Sequence, residues 1–306
     1  SFRGTIKHEL PAPVRPIPEY FKAAGYYVCN GSKSEAKEPG KTDYNFEYPS
    51  DLYDGADCSG AAPGQPVFMQ YQLQGGKFRR AKVEHEVSPD AVKLPPYYPD
   101  DPVMRENWAT YLNSVMYVDQ EVGKIMAHLE ADGRATNTVV FFTTDHGISH
   151  ARGKQFLYEE GTHVPLIIWS PDRIPAGTKR GELVSQMDIA ATSMYFAGIP
   201  VPSYMESRSL FGPDARPREY VISARDRCDE TVEHMRSVRK GTFTYIRNFL
   251  PERPHMQPNA YKDDKPIVIR MRELYAQGKL KGHPAEHLFS VPRPREELYD
   301  RTTDPC

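Results

Sequence analysis

Residues 138–147 read TVVFFTTDHG, and this stretch is the strongest single indication of the fold. Its first seven residues form an unbroken β-branched and aromatic run, which is typical of a buried strand in a parallel sheet. A second strand of the same kind is predicted over 164–169. Amphipathic helices with apolar residues at three- and four-residue steps are predicted over 104–129 and 187–197. Strands and helices that alternate in this way predict an α/β fold with a mostly parallel central sheet flanked by helices.

The segments around this centre complete the predicted architecture. Before it, a helix is predicted over 17–24, followed by strands over 26–29 and 67–73. After residue 202 the pattern changes to short strands that are expected to pair antiparallel. These C-terminal elements are strands over 220–223, 235–238, 242–247 and 296–300, and one helix over 267–276. We therefore expect an α/β domain over 1–205 and a C-terminal α+β subdomain with a small antiparallel sheet over 206–306.

The composition excludes several classes of protein. The 306 residues carry 39 Lys and Arg against 41 Asp and Glu, so no nucleic-acid or membrane-surface partner is indicated. There is no run of about eighteen apolar residues, so no transmembrane helix is predicted. Cys29, Cys58, Cys228 and Cys306 lack a C-x-x-C spacing and could form disulfides or stay as free thiols. The chain starts at Ser1 without a Met, which suggests a processed or cut product.

Asp145 and His146 stand where the central strand is predicted to end, and Gly147 permits a sharp turn after them. Ligands of α/β sheets bind outside the carboxyl ends of the strands, and a carboxylate beside an imidazole can form a pair of metal ligands there. Lys154, nine residues after Asp145, can return to the same place and present an ammonium group to an anionic ester. A metal and a lysine on one oxyanion suit hydrolysis of a sulfate or phosphate ester. An isolated Asp-His-Gly is more often an ordinary turn, so the wider pattern has to decide.

The wider pattern resembles the metal and sulfate-binding block of the sulfatase family, within the alkaline phosphatase superfamily. The segments that carry the resemblance are TDHG (144–147), GK (153–154), LYEEG (157–161) and HVPLI (163–167). Further segments are similar to the family in the same order along the chain: AGYY (24–27), GKTDYNF (40–46), KLPPY (93–97), NWA (107–109), DQEVG (119–123) and EELYD (296–300). The branch most similar by eye is the one around N-sulfoglucosamine sulfohydrolase and its bacterial relatives. The resemblance implies a metal-dependent sulfuric ester or sulfamate hydrolase that acts on a sulfated sugar.

The resemblance also implies roles, position by position. Asp145 and His146 would ligate a divalent cation, usually Ca²⁺ in this family, with Mg²⁺ or Mn²⁺ as alternatives. Lys154 would contact the sulfate and the leaving-group oxygen. Lys41 would bind the sulfate near the nucleophile. Lys33 could fill this role in place of Lys41. We favour Lys41 because Thr-Asp-Tyr-Asn follows it.

One departure from the family pattern concerns a histidine that contacts the sulfate. The sequence has Lys77 at about that position, which could supply positive charge but no acid/base chemistry near neutral pH. A solvated loop lysine is an equally good interpretation of Lys77. His85 could serve instead only if the loop is longer than expected.

The second departure concerns the nucleophile. Sulfatases use a formylglycine made from the Cys or Ser of a C/S-x-P/A-x-R motif, which does not occur in these 306 residues. Cys58 lacks the arginine of that motif and is interpreted as a decoy. The formylglycine and the first metal aspartates are therefore expected in an N-terminal part that precedes this chain. Residues 1–205 are then a partial sulfatase domain, and the chain alone is expected to be inactive.

Three further residues are weaker candidates for substrate binding. Arg152 could assist anion binding or be an exposed loop arginine. His163 is expected to support the site from behind rather than to touch the metal. His255 could face the rim of the site, although a surface-loop histidine is the commoner case.

Two other functions stay open on the sequence. A phosphodiesterase or phosphonate monoester hydrolase of the same superfamily would share the Asp-His pair and differ in its nucleophile. A non-catalytic protein that holds a sulfated glycan is favoured by Lys77 and by the absent motif. The expected partner is a small-molecule or oligosaccharide sulfate ester, and the expected compartment is a periplasm, a lysosome or the exterior. No oligomeric state is predicted.

Overall fold

The computed structural model describes residues 7–32, 34 and 38–304, so Lys33 and Cys306 lie outside the described residues. The predicted helices and strands occur in the predicted order, with ends that differ by a few residues, and two four-residue helices that were not predicted are added, Glu159–Thr162 and Ala260–Asp263. In chain order they are α1 (Ile17–Ala23), β1 (Tyr27–Gly31), β2 (Val67–Tyr71), α2 (Pro102–Ala131), β3 (Val140–Thr143), α3 (Glu159–Thr162), β4 (Leu166–Trp169), α4 (Asp188–Phe196), β5 (Val221–Cys228), β6 (Thr231–Lys240), β7 (Phe243–Asn248), α5 (Ala260–Asp263), α6 (Pro266–Ala276) and β8 (Glu296–Asp300).

The strands form three sheets within the described residues. Strands β1 and β2 pair in parallel, with Tyr27 opposite Val67. Strands β3 and β4 form a second pair. Strands β5, β6, β7 and β8 form a four-stranded antiparallel sheet in that order. The mixed α/β class and the small C-terminal antiparallel sheet are therefore confirmed.

The pairing of β3 with β4 differs from the expected parallel arrangement. Val140 lies opposite Trp169 and Thr143 opposite Leu166, so the two strands run antiparallel. A parallel pair is usually connected through a crossover helix. The connection over 144–165 contains only the four-residue α3, and the chain turns back instead of crossing over.

Helix α2 begins at a strong capping signal. The Asp101 carboxylate accepts a hydrogen bond from the Val103 amide at 2.9 Å, and Pro102 occupies the first helical position. Such a cap satisfies one of the amides that every helix leaves unpaired at its start. Asp101 also forms an ion pair with Arg270 of α6 at 2.9 Å, which ties the C-terminal part of the chain to α2.

The main hydrophobic core extends across the predicted boundary at residue 206. Its buried members from the N-terminal side are Tyr98, Met104, Ala151, Phe156, Leu157 and Tyr158. From the C-terminal side it includes Met235, Ile246, Ile267, Val268, Met271 and Leu274. The boundary itself stays a prediction. No helix among the described residues has the length and apolar character to cross a membrane.

The described cysteines are free thiols. Cys29 of β1 is buried, and its Sγ lies 3.6 Å from Sγ of Cys58. Cys228 ends β5 and is also buried.

Candidate active site

The turn after β3 places Asp145 and His146 at the carboxyl end of that strand. The Thr144 hydroxyl donates to the carbonyl oxygen of His146 at 3.0 Å, and Gln186 Nε2 donates to the carbonyl oxygen of Thr144 at 2.7 Å. The Asp145 side chain is 81% exposed, whereas that of His146 is 23% exposed. A solvent-facing carboxylate therefore stands beside a largely covered imidazole.

The hydrogen bonds of His146 fix its tautomer. Its Nδ1 lies 2.7 Å from the carbonyl oxygen of Gly147, and because a carbonyl can only accept, Nδ1 carries the proton. Nε2 is then a lone-pair acceptor. It is buried, has no hydrogen-bond partner among the described residues, and lies 3.3 Å from Oδ2 of Asp145. Two acceptors at this distance repel each other, and a proton or a cation between them would remove that repulsion.

The surroundings of His146 disfavour a second proton, which would give its imidazole a positive charge. Burial lowers the pKa of His146, and the ammonium groups of Lys154 and Lys77 act in the same direction. The net direction is downward although the Asp145 carboxylate opposes it. The neutral imidazole with a free Nε2 is the form in which histidine binds a metal ion.

The loop after the turn folds back onto α3 and so returns Lys154 to this place. The Gly147 amide donates to the carbonyl oxygen of Gly161 at 3.2 Å, and the Lys154 amide donates to the carbonyl oxygen of Ile148 at 2.6 Å. A Cβ on Gly147 would lie 2.0 Å from the carbonyl oxygen of Glu160. The glycines of the motif are therefore required by close backbone packing.

Lys154 and Lys77, which come from different parts of the chain, both act electrostatically on His146, and Lys41 acts on Lys77. Lys77 ends the short 3₁₀ turn Gly75–Lys77. Burial lowers the pKa of Lys77, and the ammonium groups of Lys154 and then Lys41 lower it further, while the Asp145 carboxylate opposes them. Lys41 is 57% exposed and forms an ion pair with Asp43. Ammonium groups that repel one another favour the binding of an anion between them.

Tyr261, which the sequence did not single out, belongs to the same cluster. Its hydroxyl lies 3.0 Å from Oγ of Ser149, and the ammonium nitrogen of Lys154 lies 4.4 Å from its ring centroid. Burial raises the pKa of Tyr261, but the contact with Ser149 and the nearby lysines outweigh it and lower the pKa overall. Ser149 and Tyr261 are 112 residues apart, so no local pattern could have linked them.

The remaining candidates make their contacts elsewhere. Arg152 is only 9% exposed, and its guanidinium lies 4.2 Å from the ring centroids of both Tyr97 and Tyr158. It is therefore a core residue and not an exposed loop arginine. His163 is exposed, and its Nδ1 lies 2.6 Å from Oε1 of Glu159. A substrate-binding role for either residue stays a prediction.

His255 is buried, contrary to the expectation that it faces a rim or an exposed loop. It is 1% exposed and belongs to a polar network with His287 and Glu297, whose ligand atoms lie within 4.8 Å of one another. The Tyr158 hydroxyl lies 3.1 Å from Nε2 of His255, 2.7 Å from Nε2 of His287 and 2.9 Å from Oε2 of Glu297. Sequence alone could not place it there, since all three partners come from distant segments.

This network contains residue types that bind metal ions, but hydrogen bonds already occupy the nitrogen and oxygen atoms that would have to bind the ion. Arg293 Nη1 lies 3.0 Å from Nδ1 of His255 and can only donate, so Nδ1 accepts and the neutral imidazole carries its proton on Nε2. The Tyr158 hydroxyl stands between the three groups, where an ion would have to lie. The hydrogen bonds already satisfy the His255, His287 and Glu297 cluster without a cation.

The buried state of His255 predicts a pH dependence of stability. Burial lowers the pKa of His255 to about 4, so between pH 6.5 and 4 the unfolded chain takes up a proton that the folded chain does not. The free energy of unfolding should therefore fall as the pH falls through this window, by about 3 kcal/mol from this group. Glu160 contributes in the opposite direction. Burial raises its pKa to about 7, so the folded chain keeps a proton that the unfolded chain loses, and its contribution to the free energy of unfolding rises as the pH falls.

Denaturant unfolding at pH 7, 5.5 and 4 checks this, with His255→Gln for comparison. The variant should lose less stability than the wild type between pH 6.5 and 4. Equal losses in both proteins would contradict the assignment.

Comparison with known proteins decides the family. A family model described as Sulfatase matches residues 3–199, which is more than half of the chain. The chain belongs to the sulfatase family. This sulfatase-family chain is 29% identical to an ulvan-active sulfatase of Formosa agariphila over 99% of its own length and 57% of the relative's. It is also 29% identical to human N-sulphoglucosamine sulphohydrolase, over 70% of its length and 45% of that protein's.

The fold is shared with solved sulfatases. A 2-O GAG sulfatase superposes with a TM-score of 0.59 at 18% identity, over 97% of this chain and 69% of that one. The expected resemblance to the sulfatases, including N-sulfoglucosamine sulfohydrolase, is thus confirmed. The chain spans about half the length of the curated relatives named above.

Proposed function

We propose that the native protein carrying this chain hydrolyses a sulfuric ester or sulfamate of a sulfated sugar with the help of a divalent cation. The observation that carries the proposal is the Asp145–His146 pair at the end of β3, with Oδ2 3.3 Å from the unpartnered Nε2, beside Lys154 and Lys77, whose ammonium groups help to lower the pKa of His146. Ammonium groups beside a candidate cation site suit a small oxyanion on a sugar, because they neutralise the charge that develops as the leaving group departs. The names of the ulvan-active and N-sulphoglucosamine relatives support a sulfated sugar as the substrate class.

The proposed cation ligands are Oδ2 of Asp145 and Nε2 of His146. The unpartnered, buried Nε2 at 3.3 Å from a carboxylate oxygen fits a shared cation. Ca²⁺ is the proposed ion, with Mg²⁺ or Mn²⁺ as alternatives, because hard cations favour carboxylate oxygen. When bound, the cation supplies Lewis-acid stabilisation of the sulfate oxygens.

The lysines of the chain bind and orient the sulfate. Lys154 is proposed to hold the sulfate and the leaving-group oxygen, and Lys41 to exchange its ion pair with Asp43 for a contact with the sulfate. Lys77 adds positive charge at the position where the family has a histidine. The nucleophile is proposed to be a formylglycine from a C/S-x-P/A-x-R segment, which these 306 residues do not contain. The proposed compartment is a periplasm, a lysosome or the exterior.

A non-catalytic sulfated-glycan binder is the second candidate. Lys77 favours it, because a lysine in the lysine cluster strengthens anion binding without supplying acid/base chemistry near neutral pH. Intact-mass measurement and N-terminal sequencing of the native protein, with an aryl sulfate assay, separate the two. Turnover by a protein that contains formylglycine supports the enzyme; sulfated-glycan binding without turnover supports the binder.

The cation ligands predict a specific binding defect. His146→Gln and Asp145→Asn should each weaken Ca²⁺ binding to the native protein by at least about 10-fold, because the first replaces the ligating imidazole nitrogen and the second removes the negative charge of the ligating carboxylate. Isothermal titration with Ca²⁺ measures this, and removal of the metal by a chelator should abolish turnover. His85→Gln is the matched control, since that side chain is 85% exposed and lies outside the site. Wild-type Ca²⁺ affinity in both ligand variants would refute the assignment.

A further inference from the structure

A segment of the C-terminal part lies directly against the loop that carries Lys154. Asn259, the residue before α5, accepts a hydrogen bond from Nε2 of Gln155 at 3.1 Å. Lys262, which is 1% exposed, donates from Nζ to the carbonyl oxygens of His150 and Ala151 at 3.0 and 2.9 Å. Residues 259–262 therefore fix the loop on both sides of Lys154.

Tyr261 stands between these two anchors. Its hydroxyl pairs with Oγ of Ser149 at 3.0 Å, which fixes the direction of the ring. The ammonium nitrogen of Lys154 lies 4.4 Å from the ring centroid, and that of Lys265 lies at the same distance. Both are within the range of a cation–π interaction.

The choice of an aromatic partner for Lys154 has a chemical consequence. Among the residues that the structure describes, no carboxylate forms an ion pair with Lys154. A carboxylate partner would neutralise the ammonium and occupy its N–H donors. A ring face holds a cation through its quadrupole and leaves the charge and the donors available for an anion.

We propose that Tyr261 is a positioning residue that holds the Lys154 ammonium toward the sulfate group. The ring fixes the end of a flexible four-carbon side chain, and the Ser149 contact fixes the ring. This inference rests on the proposed role of Lys154 in sulfate binding, and it assigns part of the site to the C-terminal half of the chain.

The test compares two substitutions of Tyr261 with a matched control. Tyr261→Leu removes the ring face and should weaken binding of inorganic sulfate by about 10-fold, within the range of a desolvated cation–π contact. Tyr261→Phe keeps the ring and loses only the Ser149 contact, so it should retain most of the affinity, within about 3-fold of the wild type. Tyr275→Leu, at a 39% exposed tyrosine of α6, should bind sulfate as the wild type does.

A second readout does not depend on sulfate binding. Acetylation of Lys154 by a limiting amine reagent, measured by peptide mass spectrometry, should be faster in Tyr261→Leu than in the wild type and Tyr261→Phe, because the ring covers the ammonium. If wild-type protein binds no sulfate but Lys154 acetylation follows this order, the proposed function fails and the positioning role stands. If folded Tyr261→Leu matches the wild type in acetylation and sulfate affinity, the positioning role is wrong.

The conservative variant keeps the proposal testable if Tyr261→Leu does not fold. In that case Tyr261→Phe and Ser149→Ala should weaken sulfate binding equally, since both remove the same contact. In the native enzyme both should raise KM for an aryl sulfate in the same proportion. Unequal effects of the two variants would overturn the role given to the Ser149 contact.

Discussion

Gly161→Ala is expected to prevent stable folding. A Cβ at this position would lie 2.1 Å from the carbonyl oxygen of Phe156 and 2.7 Å from that of Gly153. Both are backbone atoms of a tightly folded loop, so neither can move aside as a flexible side chain would. We expect a loss of more than about 4 kcal/mol in the free energy of unfolding, measured by denaturant unfolding or by loss of soluble protein.

The matched control is Gly123→Ala in α2. A Cβ on Gly123 meets no atom within 4 Å, and this glycine lies in the interior of a long helix. Because alanine favours a helix over glycine, this variant should be more stable by about 1 kcal/mol. Equal stability of the two alanine variants would show that the close packing around Gly161 is not as described.

Arg293→Met is expected to cause the second large loss. Arg293 and Glu233 form an ion pair in which both side chains are 0% exposed, and Arg293 also donates to Nδ1 of His255 at 3.0 Å. Removing the cation leaves the Glu233 carboxylate buried without its charge partner. The expected loss is about 3–5 kcal/mol in the free energy of unfolding at pH 7.

Lys240→Met is the control for this substitution. Lys240 pairs with Glu219, and their side chains are 65% and 70% exposed. Exposed ion pairs contribute little because water already solvates both charges, so the loss of stability should be much smaller than that of Arg293→Met. A small effect of Arg293→Met, similar to that of Lys240→Met, would contradict the buried pair.

Part of the candidate site could be predicted because the sequence pattern that indicates it spans only a few neighbouring residues. Asp145 and His146 directly follow a strand whose composition is visible in the sequence, and the turn after them needs Gly147. Lys154 follows within the same short loop. The family resemblance added Lys41 and Lys77, and the ammonium groups of Lys154 and Lys41 both lower the pKa of Lys77. Their catalytic roles stay predictions.

Other residues could not be placed because burial depends on the whole fold. Nothing adjacent to His255 in the sequence shows that Tyr158, 97 residues away, and Arg293, 38 residues away, enclose it. The same holds for Arg152, whose charge is covered by Tyr97 and Tyr158. A polar residue in a segment predicted to be a loop looks exposed until its partners are known.

The sequence by itself determined the mixed α/β class, the order of the elements and the position of the Asp145–His146 turn. These follow from hydrophobic periods and turn residues, which act over a few residues of chain. Only the tertiary structure decided that β3 and β4 pair antiparallel, that Tyr261 lies under the Lys154 ammonium, and that His255 is buried. Each of these depends on contacts between segments far apart in the chain, and such contacts are set by packing and not by local pattern.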